Sequence, residues 1–253
     1  MQIIQLMLVL LTALLPIGAA ASERLTIAAA SDLRYALDEV VAAFRTEHPG
    51  HAVTVIYGSS GKMTTQIVNG APYDVFFSAD IAFPRRLWAE GHAATEPRPY
   101  ATGRIVLWST TVDASQLALA DLADARFRRI AIAQPAHAPY GQRAQEALEA
   151  AGLWEAVRPR LVFAENVAHA AQMVQSGAAD IGIIALSLAL FPDLARHGHH
   201  LIDGTLHAPL TQAYVVTRRA RDNAAAQAFA GYMQTEVARA VMARYGFVLP
   251  HAQ

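Results

Sequence analysis

Residues 25–44 read LTIAAASDLRYALDEVVAAF, and the change of period inside this run decides the fold. Leu25 to Ala29 is a short apolar run with the character of a strand. Ser31-Asp32 is a helix-start signal, after which Leu33, Leu37, Val40, Val41 and Phe44 recur at helical spacing and predict one buried stripe. His48-Pro49-Gly50 ends that helix.

The same unit recurs outward from this stretch. Val53 to Tyr57 reads as a strand, and Gly58-Ser59-Ser60-Gly61 leads into a helix over Lys62 to Asn69. Val75 to Phe77 precedes a short helix around Phe83 to Ala89. Ile105 to Trp108 and Ile130 to Ala133 are further strands, the latter followed by a helix over Gln142 to Ala151. Leu161 to Phe163 precedes the helix Val167 to Gln175. Ile181 to Ile184 and Ala213 to Val216 are later strands, and helices fill most of Asn223 to Tyr245. Strands alternating with helices in this way predict an α/β protein whose parallel sheets are covered on both faces. A chain of 253 residues has room for two modest domains of this kind or one large one.

Composition narrows the function. The formal net charge is −1, which argues against nucleic acid as the main partner. Hydrophobic residues make up 54% and charged residues 16%, enough apolar side chain for a sizeable core. The absence of cysteine excludes disulfides, thiolate metal sites, Cys nucleophiles and a lipidated N-terminal Cys. Ile3 to Leu15 is apolar apart from Gln5 and Thr12, and Pro16-Ile17-Gly18 breaks the run before Ala19-Ala20-Ala21. That is the pattern of a signal peptide over residues 1–21, with Ser22 opening the mature chain and the periplasm as its destination. The run is short for a membrane span, which needs about 20 apolar residues.

Four β-to-α junctions are rich in hydrogen-bond donors: Ser31-Asp32, Ser59-Ser60-Gly61, Tyr140-Gly141 and Asn166-Val167. Helix starts present unpaired N–H groups and a partial positive charge, so they suit anions. Ligands of open α/β sheets also sit beyond the carboxyl ends of strands. Two junctions precede residue 100 and two follow it, an arrangement suited to a ligand held between two lobes. Each Ser or Asn could equally be a plain helix cap, contributing about 1 kcal/mol.

Here the residues resemble a known family. Ala28 to Leu33, Gly58-Ser59-Ser60-Gly61 with Gln66-Ile67, and Gly70-Ala71-Pro72-Tyr73-Asp74 through Asp80 are similar to the periplasmic molybdate-binding proteins of ABC importers. So are Pro135 to Gly141, Glu165-Asn166-Val167, Gly182 to Ser187 and Arg244-Tyr245-Gly246-Phe247, in order along nearly the whole mature chain. The resemblance implies a type II periplasmic-binding-protein fold: two α/β lobes, each a mostly parallel sheet flanked by helices, joined by two crossing strands. Residues 22–101 plus 216–253 would form lobe one and 102–215 lobe two. It implies capture of molybdate, with tungstate, for delivery to the membrane permease of an ABC transporter. It implies no enzyme activity, no cofactor and no metal site, molybdenum being bound only as the oxyanion; a monomer is expected.

Residue by residue, Ser31 and Ser60 match the family's two lobe-one serines, whose hydroxyls and N–H groups hold the oxyanion. Tyr140 and Val167 match lobe-two positions, Val167 through its N–H. Some members place a Tyr after the Gly182-Ile183-Ile184 strand, where this chain has Ala185; others carry it in the Pro139-Tyr140-Gly141 loop, as here. Asp32 would repel an anion unless its side chain turns away to cap the helix, so its N–H is the expected contribution. With neutral donors alone, molybdate and tungstate should bind tightest, sulfate more weakly, and hydrogen phosphate weakest because its proton finds no acceptor. A receptor for sulfate, phosphate or an organic anion is the alternative, and an enzyme on the same architecture a further one.

Sharper motifs fail. Gly61-Lys62 lacks the phosphate loop's other positions, which are Ile56 and Met63 here. Ser59 and Ser60 do not fit a nucleophile elbow. His197, His199 and His200 could bind a metal but read better as a solvated loop. The arginine groups at 126–129 and 218–221 read as solvated surface, and Asp74 and Asp80 as packing or capping groups.

Overall fold

The structure, a computed structural model, describes residues 23–250. The expected signal peptide and the start at Ser22 lie outside the described residues.

The chain forms two five-stranded sheets, as the strand–helix alternation predicts. The first has the order β2-β1-β3-β10-β4, from β1 (Glu23–Ala30), β2 (His51–Gly58), β3 (Val75–Ser78), β4 (Arg98–Gly103) and the late strand β10 (Leu210–Val216). The second has the order β7-β6-β8-β5-β9, from β5 (Ile105–Trp108), β6 (Ile130–Ala133), β7 (Leu161–Ala164), β8 (Ile181–Ala185) and β9 (His200–Leu201). Each sheet has a parallel centre, β2-β1-β3 and β7-β6-β8, to which antiparallel strands are added on one side. The inner parallel strands β3, β6 and β8 are continuous buried apolar runs and β1 nearly so, whereas the edge strands β2 and β7 keep exposed positions such as Ile56 and Phe163.

Three helices accompany the first three strands: α1 (Arg34–Glu47), entered through a short 3₁₀ turn at Ser31–Leu33, α2 (Ser60–Val68) and α3 (Ala82–Ala89). The second sheet carries α4 (Pro139–Ala150), α5 (Trp154–Val157), α6 (Val167–Gln175), α7 (Leu186–Ala189) and α8 (Pro192–Ala195). The chain ends on α9 (Ala224–Tyr232) and α10 (Glu236–Arg244), which return to the first sheet. The predicted stripe on α1 is buried at Leu37, Val40, Val41 and Phe44, with Leu33 buried in the preceding turn. Phe44 meets Phe229 edge-on at 5.0 Å, tying α1 to α9; burying one such side chain contributes roughly 2–3 kcal/mol. Smaller apolar residues of α2 and α3 cover the opposite face. None of the described helices is long and apolar enough to cross a membrane.

The chain crosses between the sheets twice. The first crossing is the single residue Arg104 between β4 and β5; the second is residues 202–209, which include a 3₁₀ turn at Gly204–Leu206 rather than a plain strand. Val216, expected to open the returning part of lobe one, is the last residue of β10. That strand pairs with β3 and β4 from Leu210 onward. Residues 210–215 therefore sit with the first sheet, not with 102–215, and so do residues 102–103 at the end of β4.

Candidate functional site

The carboxyl ends of β1 and β2 and the turn after β3 face the starts of α4 and α6 across a small cavity. Its lining includes Ser31, Asp32, Ser59, Ser60, Ala79, Tyr140, Asn166 and Val167. All five residues singled out for ligand contact thus meet at one place, although Ser31 follows a strand of the first sheet and Val167 a strand of the second. Pro139 occupies the first turn of α4, where its fixed φ suits helix entry.

Only one junction uses its side chain as a cap. Asn166 accepts from the His169 N–H at 3.0 Å. No side-chain cap bond is made at the starts of the Ser31 turn, α1, α2 or α4. The two serines are engaged differently. Ser60 Oγ accepts from the Ala79 N–H at 3.0 Å, and Ser31 Oγ accepts from the Ala168 N–H of the other lobe at 3.2 Å. Each hydroxyl keeps its own hydrogen to donate. Ser60 and Val167 are also the first residues of their helices, so their N–H groups have no partner within the helix. The cavity is therefore rich in neutral donors and has no Lys or Arg in its lining.

Asp32 and Tyr140 behave differently from expectation. The Asp32 carboxylate caps no helix; its Oδ2 accepts from the Tyr140 hydroxyl at 3.0 Å and from Gln212 Nε2 at 2.8 Å. The Tyr140 proton is thus directed to Asp32. Burial pushes the Asp32 carboxyl up to about 6, against the lowering effect of the Gln212 and Tyr140 bonds. Burial and the neighbouring Asp32 charge hold the Tyr140 and Tyr100 hydroxyls well above their ordinary value.

Three supporting residues were not found by sequence reasoning. Tyr100 donates to Gln212 Oε1 at 2.5 Å, which turns the amide N–H₂ toward Asp32. The β4–β10 register shifts here, Gln212 facing Ala101 and Ala213 facing Pro99, so Tyr100 is the extra residue of a bulge. Ser187 donates to the Asp32 carbonyl at 2.7 Å. The only available signal was Gln212 itself, an amide beside Thr211 in a strand that is otherwise apolar or aromatic. Gly103 makes the cluster possible: a Cβ there would collide with the Tyr140 hydroxyl and lie 2.6 Å from Gln212 Nε2.

Around the rim the lobes touch through polar contacts. Arg143 pairs with Asp80 at 2.8 Å across the cleft and with Glu146 at 2.7 Å on its own helix. The Gly61 N–H donates to the His137 carbonyl at 3.0 Å, and Ser59 Oγ lies 3.0 Å from His137 Nδ1. Lys62 faces outward and pairs with Glu165 at 3.3 Å. Asp74 accepts from the Thr26 N–H and pairs with Arg219 as the expected packing group, whereas Asp80, which accepts from the Ala82 N–H at the start of α3, also makes the bridge to Arg143 that the sequence reading did not foresee. Among the described residues no group of three His, Cys, Asp or Glu is placed to hold a metal. His197 of the His-rich tract instead packs edge-on against Trp108.

Comparison with known proteins agrees with this architecture. Residues 25–248 match the family model described as bacterial extracellular solute-binding protein. The chain is similar to the molybdate-binding protein ModA of Rhodobacter capsulatus, 32% identical over 239 residues that cover 92% of this chain and 91% of that one. It is similar to ModA of Azotobacter vinelandii, 34% identical over 234 residues covering 91% and 92%. The solved structure of the Azotobacter vinelandii periplasmic molybdate-binding protein superposes with a TM-score of 0.85 at 35% identity, over 90% of this chain and 100% of that chain. The sulfate-binding protein SubI of Mycobacterium tuberculosis H37Rv shares the fold at a TM-score of 0.69 and 16% identity.

Proposed function

Since the chain belongs to the bacterial extracellular solute-binding proteins, we propose that it captures molybdate, and tungstate with it, in the cavity between its lobes. It then delivers the oxyanion to the membrane permease of an ABC importer. The observation that carries this reading is the pair of serines. Ser31 and Ser60 each accept a backbone N–H through the hydroxyl oxygen and so hold a hydrogen ready for an anion. The N–H groups of Ser60 and Val167 at two helix starts add to them. These donors contact oxygen atoms of the ligand; none coordinates molybdenum. That the relatives from Rhodobacter capsulatus and Azotobacter vinelandii are molybdate-binding proteins supports the choice of anion.

The protein acts as a carrier rather than an enzyme and needs no cofactor. The apolar run Ile3 to Leu15 and Ala19-Ala20-Ala21 support export to the periplasm with the mature chain starting at Ser22. It works as a monomer, since the cavity is complete within one chain.

A thermal-shift and calorimetric panel of molybdate, tungstate, sulfate and phosphate at neutral pH tests this. Molybdate and tungstate should bind tightest. At about 100 times the dissociation constant, each should stabilise the fold by roughly 2.7 kcal/mol. Sulfate or phosphate binding as tightly as molybdate would overturn the assignment in favour of another anion receptor.

A further inference from the structure

The cavity assigned to a dianion already contains a carboxylate. Asp32 is 1% exposed and lines that cavity. Its Oδ2 holds the Tyr140 and Gln212 donors, and its buried Oδ1 has no hydrogen-bond partner. The groups that face it are uncharged: Tyr140 from α4, Gln212 from β10 with Tyr100 of β4 behind it, the backbone N–H groups of Asp32 and Leu33, which also favour the carboxylate, and Ser187 of α7 on its carbonyl. On α1 and α6, which pack against this turn, the first titratable side chains are Arg34 and His169; both are exposed. No cation acts on the ionisation of the carboxyl. The charges of the cleft sit on its rim and pair with one another, Lys62 with Glu165 and Arg143 with Asp80 and Glu146.

A second negative charge brought within about 4–6 Å disfavours the ionised carboxyl further. Asp32 is the group able to yield, because burial alone has already pushed it up to about 6. Tyr100 and Tyr140 stay neutral throughout. We propose that capture of the oxyanion is coupled to uptake of one proton by Asp32, which makes Asp32 the residue that sets the pH dependence of binding. This rests on the reading of the cavity as an oxyanion site. The balance is simple: the dianion and one solvent proton enter together, an O–H bond forms on the carboxylate, and no other bond changes. A proton on Oδ1 leaves both donors on Oδ2 undisturbed.

The sign follows from linkage. With the lobes together and no ligand, burial holds the carboxyl at about 6; parting the lobes relieves that burial and lowers it, and the bound dianion raises it further. Below the free value both forms are protonated and affinity is flat. Between the free and the liganded values the complex holds one more proton than the free protein, so binding weakens up to about tenfold for each unit that pH rises. Asn at this position is neutral at every pH and removes the slope.

Isothermal titration of molybdate into the purified protein decides the matter, run in non-phosphate buffers of different ionisation enthalpy from about pH 6.5 to about 8.5. The expected result is uptake approaching one proton per molybdate, with affinity falling as pH rises. Asp32→Asn should bind molybdate with neither effect. Binding in the wild type that is flat with pH and exchanges no proton would overturn this inference while leaving the oxyanion site standing. Uptake that persists in Asp32→Asn would overturn it equally. No molybdate binding at any pH would overturn the site assignment itself. Should Asp32→Asn fail to fold, Asp32→Ser, smaller and neutral at every pH, takes its place with the same expected loss of uptake and of slope.

Discussion

The Ser60 hydroxyl has two duties that a substitution can separate. Its oxygen accepts the Ala79 N–H at 3.0 Å, and its hydrogen is free for the cavity. Ser60→Ala should therefore weaken molybdate binding on the order of tenfold to a hundredfold, the usual loss for one donor to a charged group. It should also lower stability without ligand by about 1–3 kcal/mol, because the Ala79 N–H is left buried and unpaired. Calorimetry and denaturant melts read the two effects separately; lowered stability with unchanged affinity would make Ser60 purely structural. At this scale the sequence was informative wherever function is written locally. A serine at a strand-to-helix turn announces a donor, and Ser31, Ser60 and Val167 do reach one cavity. It was silent on Tyr100, Gln212 and Ser187, whose roles depend on partners brought together from remote parts of the chain. For the same reason the destination of the Asp32 side chain was misjudged: the alternative to a local cap was a pair of donors from α4 and β10.

Elements were legible where their period was clean. The runs at β1, β2, β3 and β5 to β8 are apolar and bounded by small residues, and each forms where the pattern puts it. β4 escaped notice because Arg98-Pro99-Tyr100-Ala101-Thr102-Gly103 carries both a Pro and a Gly. An edge strand tolerates them, and its alternation is broken by the bulge at Tyr100. The first residues of β10 were missed because Thr211 and Gln212 interrupt its apolar character, the price of placing an amide in the site. The helices read over 223–245 are two, divided where Thr235 caps the second by accepting from the Ala238 N–H. α4 is the element on which the site most depends, since it carries both Tyr140 and Arg143. It sits so close to the end of β6 that a Cβ on Gly141 would run into the Ala133 carbonyl. Gly141→Ala should push α4 outward, at about 1–3 kcal/mol of stability, and weaken molybdate binding together with it. Denaturant melts paired with calorimetry check this. An Ala variant with wild-type values of both would show that α4 can shift without disturbing the site.

For the molecule as a whole, two lobes meet through two crossings near Arg104 and residues 202–209, with the donor-lined cavity between them. Rotation about those crossings would part the contacts that span the cleft while leaving those within a lobe intact. Arg143 lies on both sides of that distinction. Its bond to Glu146 stays within α4, whereas its bond to Asp80 joins α4 to the turn after β3. The side chains of Arg143 and Asp80 are only 8% and 17% exposed in the closed arrangement. An ion pair screened from water in this way couples its members more strongly than a surface pair, for which 0–1 kcal/mol is typical. Closure on the ligand should then be held partly by this bridge. A double-mutant cycle of Asp80→Asn and Arg143→Met, read on molybdate affinity, should give a coupling of about 1–3 kcal/mol. If the bridge closes only once the anion has entered, the loss falls mainly on the dissociation rate. The same cycle read on unfolding without ligand reports whether the bridge also exists in the empty protein. Coupling in affinity with little coupling in unfolding is the signature of a contact made on closure. Equal coupling in both would mean that the lobes are already held together before the ligand arrives, and the absence of coupling in affinity would remove the bridge from the mechanism.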